Sequence, residues 1–327
     1  MVISSRAANA RTTDPRGDAG AGRPGRPGRP GRKQPRPSSV RDVKAHTYPY
    51  WFYAPAGVVY GLIFLVPTFI AFYFAFTRWT LFESEFIGLD NFRQFFSEQA
   101  LVSGLKNTLI YAVVTSGLKV VLGMLLAVLL TGPIRSRGLM RSVIFFPVLV
   151  STVAVGITFS VLLQPDFGLV SIVLAKVGIT SPDWLGDPGT ALLSVALVDV
   201  WKGVGLATLI YIAGILAIPR DYYEAVDVDG GGAWTKFWNV TVPLARPATF
   251  TVILLSLIGG LRSFDLIWTM TGGGPGFSSD VIASIIYKTY QAGFFGLSTA
   301  GNVVLFILVT LIVYPLSRYF NSREVES

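Results

Sequence analysis

Ionisable residues lie inside long apolar runs of this 327-residue chain, where their types and spacing can support binding chemistry. Lys119, Asp199 and Lys202 each fall about 12–17 Å from the outer end of a predicted helix, near the middle of a bilayer. Asp199 and Lys202 stand at i and i+3 on one helical face, as do Arg262 and Asp265. Because a charged group in hydrocarbon costs about 2.5–3.5 kcal/mol, we interpret these residues as functional candidates.

The residue types leave two interpretations of these charges open. In the first, they line a polar cavity with Trp201, whose ring can stack on the apolar face of a solute while the charges form hydrogen bonds. In the second, the charges pair with one another and hold the helices together. Thiol and histidine chemistry are not indicated, because the chain has no cysteine and its one histidine, His46, precedes the first apolar run. We predict no metal site.

The elements that position these residues follow from composition and run length. Hydrophobic residues make up 52% of the chain and charged residues 14%, against about 25% in soluble domains. Six continuously apolar runs are long enough to cross about 30 Å of hydrocarbon as helices, and none alternates in polarity like a barrel strand. The sequence predicts an all-α integral membrane protein with six transmembrane helices. The predicted spans are 53–76, 108–131, 142–163, 191–217, 247–267 and 300–320.

Lysine and arginine residues predict the orientation of these spans. If the N-terminus is cytoplasmic, 19 of the 27 basic residues lie in cytoplasmic segments, 5 lie in outer segments and 3 lie within spans. Cytoplasmic loops of membrane proteins carry the excess of positive charge. We therefore expect both termini to be cytoplasmic.

The first 52 residues differ in composition from the rest of the chain. Gly-Arg-Pro repeats at 22–32 offer no apolar face, which predicts a disordered basic cytoplasmic tail at 1–52 with polyproline II character. The repeat has no aromatic residues to stack on bases, so we predict attraction to anionic lipid and no binding of nucleic acid. The remaining segments are a transmembrane domain at 53–320, which includes a cytoplasmic loop at 218–246, and a C-terminal tail at 321–327.

The loop at 218–246 has the pattern of two short helices around a turn. Asp221 is expected to cap the first helix, and the glycines at 230–232 permit a sharp turn because glycine tolerates positive φ. Pro243 is expected to end the second helix. Three aromatic residues can anchor that helix at the membrane surface: Trp234, Phe237 and Trp238. A regular polar loop between two membrane-length runs indicates contact with a cytoplasmic partner.

This loop resembles the EAA loop of ATP-binding-cassette (ABC) importer permeases. The residues that carry the resemblance are, in order, Glu224, Ala225, Gly230 and Pro243. It implies the type I ABC importer permease fold, in which the first short helix docks into a groove of a cytoplasmic ATPase. Val226 and Val242 depart from the family's alanine and leucine. The residues to which the resemblance assigns ATPase coupling are Glu224, Ala225, Asp229, Gly230 and Pro243.

Predicted outer segments extend the resemblance to the carbohydrate-type branch of that family. The segment 86–92 (Phe-Ile-Gly-Leu-Asp-Asn-Phe) is similar to the signature after the family's first span. The segment 270–276 (Met-Thr-Gly-Gly-Gly-Pro-Gly), preceded by Phe264 and Asp265, is similar to the signature after its fifth span. The residues at 184–188 are similar to its second outer loop. The agreement covers 53–320, and the glycine-rich signature resembles the maltose-type first permease.

The resemblance implies a transport subunit rather than an enzyme. This subunit would be the permease of an ATP-driven, binding-protein-dependent sugar importer. It would lie in the bacterial inner membrane and work by alternating access. The implied partners are a second, different permease, two copies of an ATP-binding subunit and an extracytoplasmic solute-binding protein. The chain has no Gly-x-x-x-x-Gly-Lys-[Ser/Thr] phosphate loop. We therefore expect no cofactor on this chain, with ATP and Mg²⁺ held by the separate ATPase. The candidate sugar cavity comprises Lys119, Asp199, Trp201, Lys202, Phe264 and Asp265.

Two other functional classes remain open from the residues. An ion-coupled secondary transporter of a small polar solute would use Asp199 and Lys202 as its ion site, although the six spans show no convincing internal repeat. A membrane enzyme would need a nucleophile–base pair or a metal cluster around Asp265 and Asp280, and the sequence offers neither.

Overall fold

The computed structural model describes residues 50–80, 82–133 and 135–324. Nearly all of the predicted tail at 1–52, and residues 325–327 of the predicted C-terminal tail, lie outside the described residues. The chain divides into two units, Met1–Ala56 and Gly57–Ser327, and the packing described below is that of the second unit.

The described residues are almost entirely helical. The α-helices are α1 (Ala54–Tyr60), α2 (Val66–Phe74), α3 (Asp90–Ser97), α4 (Gln99–Thr131), α5 (Arg137–Leu149), α6 (Thr152–Leu162), α7 (Leu169–Lys176), α8 (Ala191–Leu216), α9 (Arg220–Val228), α10 (Ala233–Lys236), α11 (Val242–Leu244), α12 (Arg246–Leu261), α13 (Asp265–Met270), α14 (Ile282–Gln291) and α15 (Phe295–Glu324). A 3₁₀ turn at Tyr50–Tyr53 precedes α1, and π-helical turns occupy Gly61–Leu65 and Phe237–Thr241. One antiparallel hairpin pairs β1 (Thr77–Trp79) with β2 (Ser84–Phe86).

The apolar helices give four to six membrane spans in the described residues. Four are long and apolar enough to cross a bilayer alone: Trp51–Phe74, Gln99–Thr131, Ala191–Leu216 and Phe295–Phe320. Two further pairs of helices qualify only together, because each is sharply bent at a short break. Counting each bent pair as one span gives six, which is consistent with the predicted number.

Neither the third nor the fifth predicted span is a single straight helix. The run at 142–163 divides into α5 and α6, which meet at 99° around Val150 and Ser151. Pro147 lies inside α5 just before the break, and its missing N–H weakens the helix there. The run at 247–267 divides at residues 262–264, and α12 is instead joined to the preceding segment Ala233–Leu244 through a 68° bend.

Both π-helical turns stand just before a proline. Gly61–Leu65 ends two residues before Pro67, and Phe237–Thr241 ends two residues before Pro243. A proline ring clashes with the carbonyl four residues earlier in a regular helix. Here that carbonyl lies inside the wider π turn, which lets the helix continue past the proline. The prediction that Pro243 ends its helix is therefore wrong, since the helical run extends to Leu244.

Helices α4 and α8 form the centre of the molecule. They run parallel, because Lys119 contacts Asp199 while Ala207, farther along α8, lies against Gly123, farther along α4. Helix α12 packs on both. One apolar core surrounds Tyr111 and Val195 and a second surrounds Tyr211 and Ala127. The ends of this bundle carry the loop at 218–246, named the Gly230 loop below, and the loop at 271–280, named the Gly-rich loop.

Candidate functional site

The first short helix of the Gly230 loop is an exposed ridge. Helix α9 has no buried residue, and Glu224 and Ala225 are both exposed. Asp221, Glu224, Ala225 and Val228 stand at i, i+3, i+4 and i+7, so they share the exposed face. Asp221 does not cap the helix as predicted: Pro219 holds the cap position, makes no side-chain cap hydrogen bond, and leaves Asp221 in the first turn.

The turn after α9 is closed by a specific backbone motif at Gly230. The Gly231 N–H donates to the Val226 carbonyl at 2.8 Å, and the Gly230 N–H donates to the Asp227 carbonyl at 3.1 Å. Gly230 has φ +77°, which matches the left-handed residue of a Schellman cap. Asp229, directly before it, is the exposed C-cap residue. The sequence therefore places Gly230 where a side chain would add strain.

Two side-chain contacts join the arms of the Gly230 loop. The Lys236 ammonium pairs with the Asp227 carboxylate at 2.6 Å. The hydroxyls of Tyr223 and Thr241 lie 3.2 Å apart, and Thr241 is buried. Sequence reasoning missed both pairs, although the opposite charges of Asp227 and Lys236 on either side of a glycine turn were an available signal. The loop is thereby held as one unit.

The aromatic residues of the second arm form an exposed cluster. Trp234 contacts both Phe237 and Trp238, with ring centroids 6.1 and 5.7 Å apart. Phe237 also packs against the core around Tyr211, while Trp234 and Trp238 remain exposed. The cluster is thus anchored to the bundle at one ring and displays the other two.

The intramembrane charges are only partly brought together. The Lys119 ammonium donates to the Asp199 carboxylate at 2.8 Å, with side chains 10% and 20% exposed. The Tyr111 hydroxyl is buried beside Asp199 and Ser263 but makes no hydrogen bond of normal geometry with either. Tyr111 stands eight residues before Lys119, two turns along one face of α4, a spacing that could have identified it. In the described part of the chain, Lys202 forms no salt bridge.

The other cavity candidates face different neighbours. Trp201 is half-exposed on α8 and its ring lies 5.1 Å from that of Phe159. Phe264 lies at the break before α13 in an aromatic group with Trp268 and Tyr287, with centroids 5.7 and 5.3 Å from it. A cavity of about 120 Å³ reaches Lys119 but is lined otherwise by residues of α8 and α12. The six candidates therefore do not share this cavity.

Asp265 does not form the predicted pair with Arg262. It lies exposed in the first turn of α13, and no salt bridge joins the two among the described residues. The helix break at 262–264 separates them, so the i, i+3 spacing of a continuous helix does not apply. No group of three or more His, Cys, Asp or Glu residues that could hold a metal occurs in the described ranges.

The Gly-rich loop is tied down by a carboxylate that sequence reasoning did not select for the site. Asp280 is fully buried, and its two oxygens accept from the Lys288 ammonium at 2.9 and 2.7 Å. Ser284 donates to the same carboxylate at 2.7 Å. Asn107 of α4 donates to the Asp280 carbonyl at 2.9 Å. Phe277, exposed at the tip, has a left-handed φ of +65°, a strained conformation for a residue with a side chain.

Comparison with known proteins gives the family of this fold. Residues 119–325 match the family described as binding-protein-dependent transport system inner membrane component. The trehalose/maltose transport system permease protein MalF of Thermococcus litoralis is 31% identical over 72% of this chain and 81% of its own length. The sn-glycerol-3-phosphate transport system permease protein UgpA of Agrobacterium fabrum is 30% identical over 85% of this chain and 94% of its own.

Solved structures give the same fold. A bacterial ABC transporter involved in the import of the acidic polysaccharide alginate superposes with a TM-score of 0.72, at 24% identity, over 86% of this chain and 98% of that one. Its complex with an alginate pentasaccharide-bound periplasmic protein gives a TM-score of 0.73 over 85% of this chain and 95% of that one. This chain is therefore a multi-pass inner-membrane transport component rather than an enzyme, and it belongs to the family of binding-protein-dependent transport system inner membrane components.

Proposed function

We propose that this chain is a permease subunit of an ABC importer that takes up a sugar or a sugar derivative. The relatives named for trehalose and maltose, for sn-glycerol 3-phosphate and for sulfoquinovosyl glycerol support a carbohydrate-type solute. The motifs at 86–92 and 270–276 support the same class. The ion-coupled secondary transporter is not favoured, since the family works with a binding protein.

The observation that carries the coupling part of this proposal is the exposed face of α9. An amphipathic helix that presents i, i+3, i+4 and i+7 residues is suited to lie in a groove of a partner protein. The face carries Glu224 for polar contact and Ala225 for close approach. The Schellman cap at Gly230, together with the Asp227–Lys236 pair, holds α9 against its second arm. A pull on α9 can therefore reach α12 through the helical segment Ala233–Leu244, which joins α12 at a 68° bend.

The mechanism proposed for this chain is alternating access. Two copies of an ATP-binding subunit bind ATP and close against each other. Their closure moves the Gly230 loop of this chain and the corresponding loop of a second permease. This movement opens the path to a solute-binding protein outside. The ATP and Mg²⁺ belong to the ATP-binding subunits. The 19-to-5 distribution of basic residues supports a cytoplasmic Gly230 loop and cytoplasmic termini, and it assigns the Gly-rich loop to the outside.

The solute path is proposed to run along α8 and the break before α13. The half-exposed Trp201 offers a stacking surface on α8, and Lys202 adds a charge next to it in sequence. Phe264 and Asp265 add an aromatic ring and a carboxylate at the break before α13. The two charges of the Lys119–Asp199 pair neutralise each other, which supports a structural role for this pair. The cavity of about 120 Å³ reaches Lys119 of this pair, and the variants described in the Discussion test whether it contacts solute.

The experiment that tests coupling compares Glu224→Ala with Glu83→Ala. Glu83 is an exposed glutamate in the turn of the β1–β2 hairpin, so it matches the change in charge at a site far from the Gly230 loop in sequence. The chain is purified with its native partners, and solute-stimulated ATPase activity is measured in proteoliposomes. We expect Glu224→Ala to lose most of the stimulation while assembly in the membrane is unchanged. Equal stimulation in both variants would remove α9 from the coupling mechanism.

A further inference from the structure

A groove between α5 and α8 opens toward the Gly230 end of the bundle. The two helices touch at Gly205, where a Cβ atom would clash with the carbonyl oxygen of Ile144. A cavity of about 290 Å³ lies beside this contact, with Gly205 in its lining. Glycine at this position therefore lets α5 and α8 approach closely at the edge of the groove.

The walls of the groove are apolar and its mouth is basic. The apolar lining side chains are Leu130, Ile144, Phe145, Leu209 and Ile212. The hydroxyls of Ser142 and Thr208 also line it, but they donate to carbonyls of their own helices at 3.1 and 2.8 Å. Arg141 is the one charged residue in the lining, and it is exposed.

The charge of Arg141 is not neutralised by a neighbouring carboxylate. It forms no salt bridge in the described ranges, and the sequence from 99 to 165 contains no aspartate or glutamate. Arg135 and Arg137 stand within six residues of it and are also exposed. The mouth of the groove is therefore a positively charged site without an internal counter-ion.

The chemistry of the groove fits an anionic amphiphile. A free phosphate would satisfy Arg141 but leave the apolar walls uncovered. A neutral acyl chain would cover the walls but leave the guanidinium without a partner. Beside the groove, α5 exposes Leu139, Val143 and Phe146 at i, i+4 and i+7, an apolar stripe suited to a bilayer. Basic pockets between transmembrane helices bind anionic lipid head groups in this way.

We propose that the groove between α5 and α8 binds one anionic phospholipid, with its phosphate on Arg141 and an acyl chain between Ile144 and Leu209. The site lies apart from α9, and its α8 residues, Gly205 to Ile212, are not those proposed to contact solute, Trp201 and Lys202. It goes beyond the transport function, because binding of this lipid requires only a folded chain in a membrane.

The test measures lipid retained by the purified full-length chain, by native mass spectrometry after exchange into micelles that contain phosphatidylglycerol or phosphatidylcholine. Arg141→Gln removes the groove charge, and Arg135→Gln removes an equal charge from the same segment outside the lining. Arg141→Lys keeps the charge and serves as the folding control for the position. Leu209→Trp fills the groove without changing the charge.

We expect the unchanged chain and Arg135→Gln to retain phosphatidylglycerol in preference to phosphatidylcholine. Arg141→Gln should bind phosphatidylglycerol about fivefold more weakly, as one basic contact to a head group predicts. Leu209→Trp should also lose the lipid, and Arg141→Lys should keep most of it. Equal losses in Arg135→Gln and Arg141→Gln would mean diffuse attraction to the surface and overturn the site. Full retention in Leu209→Trp, or displacement by inorganic phosphate alone, would overturn the phospholipid assignment.

Discussion

The Lys119–Asp199 ion pair allows the two interpretations of the intramembrane charges to be separated. The atoms are 2.8 Å apart and both side chains are largely buried, so removal of either partner leaves an uncompensated charge between α4 and α8. Breaking a buried pair costs about 3–5 kcal/mol, and an isolated charge at the middle of a membrane helix costs about 2.5–3.5 kcal/mol. We therefore expect Lys119→Met to lower the free energy of unfolding by about 3 kcal/mol, with a similar loss for Asp199→Asn where Lys119 stays charged.

The double variant Lys119→Met with Asp199→Asn should recover most of that loss, because no charge is then left buried. The measurement is equilibrium unfolding of the purified chain by SDS in mixed micelles, which gives all four free energies of a double-mutant cycle. Lys106→Met is the matched control, since Lys106 lies exposed on the same helix and its loss should change stability by less than about 0.5 kcal/mol.

Additive losses in the double variant would refute the ion-pair reasoning, because the two residues would then contribute independently. Solute uptake by the double variant decides between the two roles. A purely structural pair predicts that uptake returns with stability. Recovered stability without recovered uptake would assign at least one of Lys119 and Asp199 to the solute path as well.

Two further predictions concern the loops at the ends of the bundle. At the Gly-rich loop, Lys288→Met should lower the free energy of unfolding by about 3 kcal/mol, because the Asp280 carboxylate left behind is 0% exposed and cannot reach water. Asp280→Asn should lower it less, because the Lys288 side chain left behind is 33% exposed. The same SDS titration compares the two variants, and an equal loss would contradict this asymmetry. At the Gly230 loop, Gly230→Ala should cost about 1–2 kcal/mol and reduce solute-stimulated ATPase activity, whereas Gly230→Asn should be milder because asparagine tolerates the left-handed region. Unchanged stimulation in Gly230→Ala would separate the cap from coupling.

Much of the fold could be predicted because length and apolarity alone identify a membrane span. The long helices α4, α8 and α15 are uninterrupted apolar runs, and the structure places them within or beyond the predicted limits. Pro147 predicts a kink in the third span, but apolarity alone does not predict where the breaks at Val150 and at 262–264 fall. A run stays apolar through a bend when both of its halves remain in the bilayer. Its hydropathy therefore does not reveal the 99° angle between α5 and α6.

The site shows the same division between local and tertiary information. The Gly230 turn was predictable because glycine spacing determines a local backbone motif, and the Schellman cap uses residues within one turn of it. The partner of Asp199 was not predictable from spacing. An i, i+3 rule favours Lys202, but α4 brings Lys119 to the same carboxylate from a neighbouring helix. The buried pair of Asp280 and Lys288 likewise joins two kinds of structure, since Asp280 lies at the end of the Gly-rich loop and Lys288 lies within α14.

Because the Gly230 loop is closed by side-chain contacts across its turn, we predict that it transmits displacement rather than absorbs it. A hinge would require a flexible connection between α9 and α12, but the Asp227–Lys236 pair and the Tyr223–Thr241 contact close the loop across its own turn. The second arm then continues one residue past Pro243, to Leu244, because the π turn at Phe237–Thr241 accommodates the proline ring. The bend that remains is the 68° angle at the start of α12, which packs on α4 and α8. Under the proposed coupling mechanism, a rigid loop joined to a central helix at one bend would convert motion of α9 into rotation of α12.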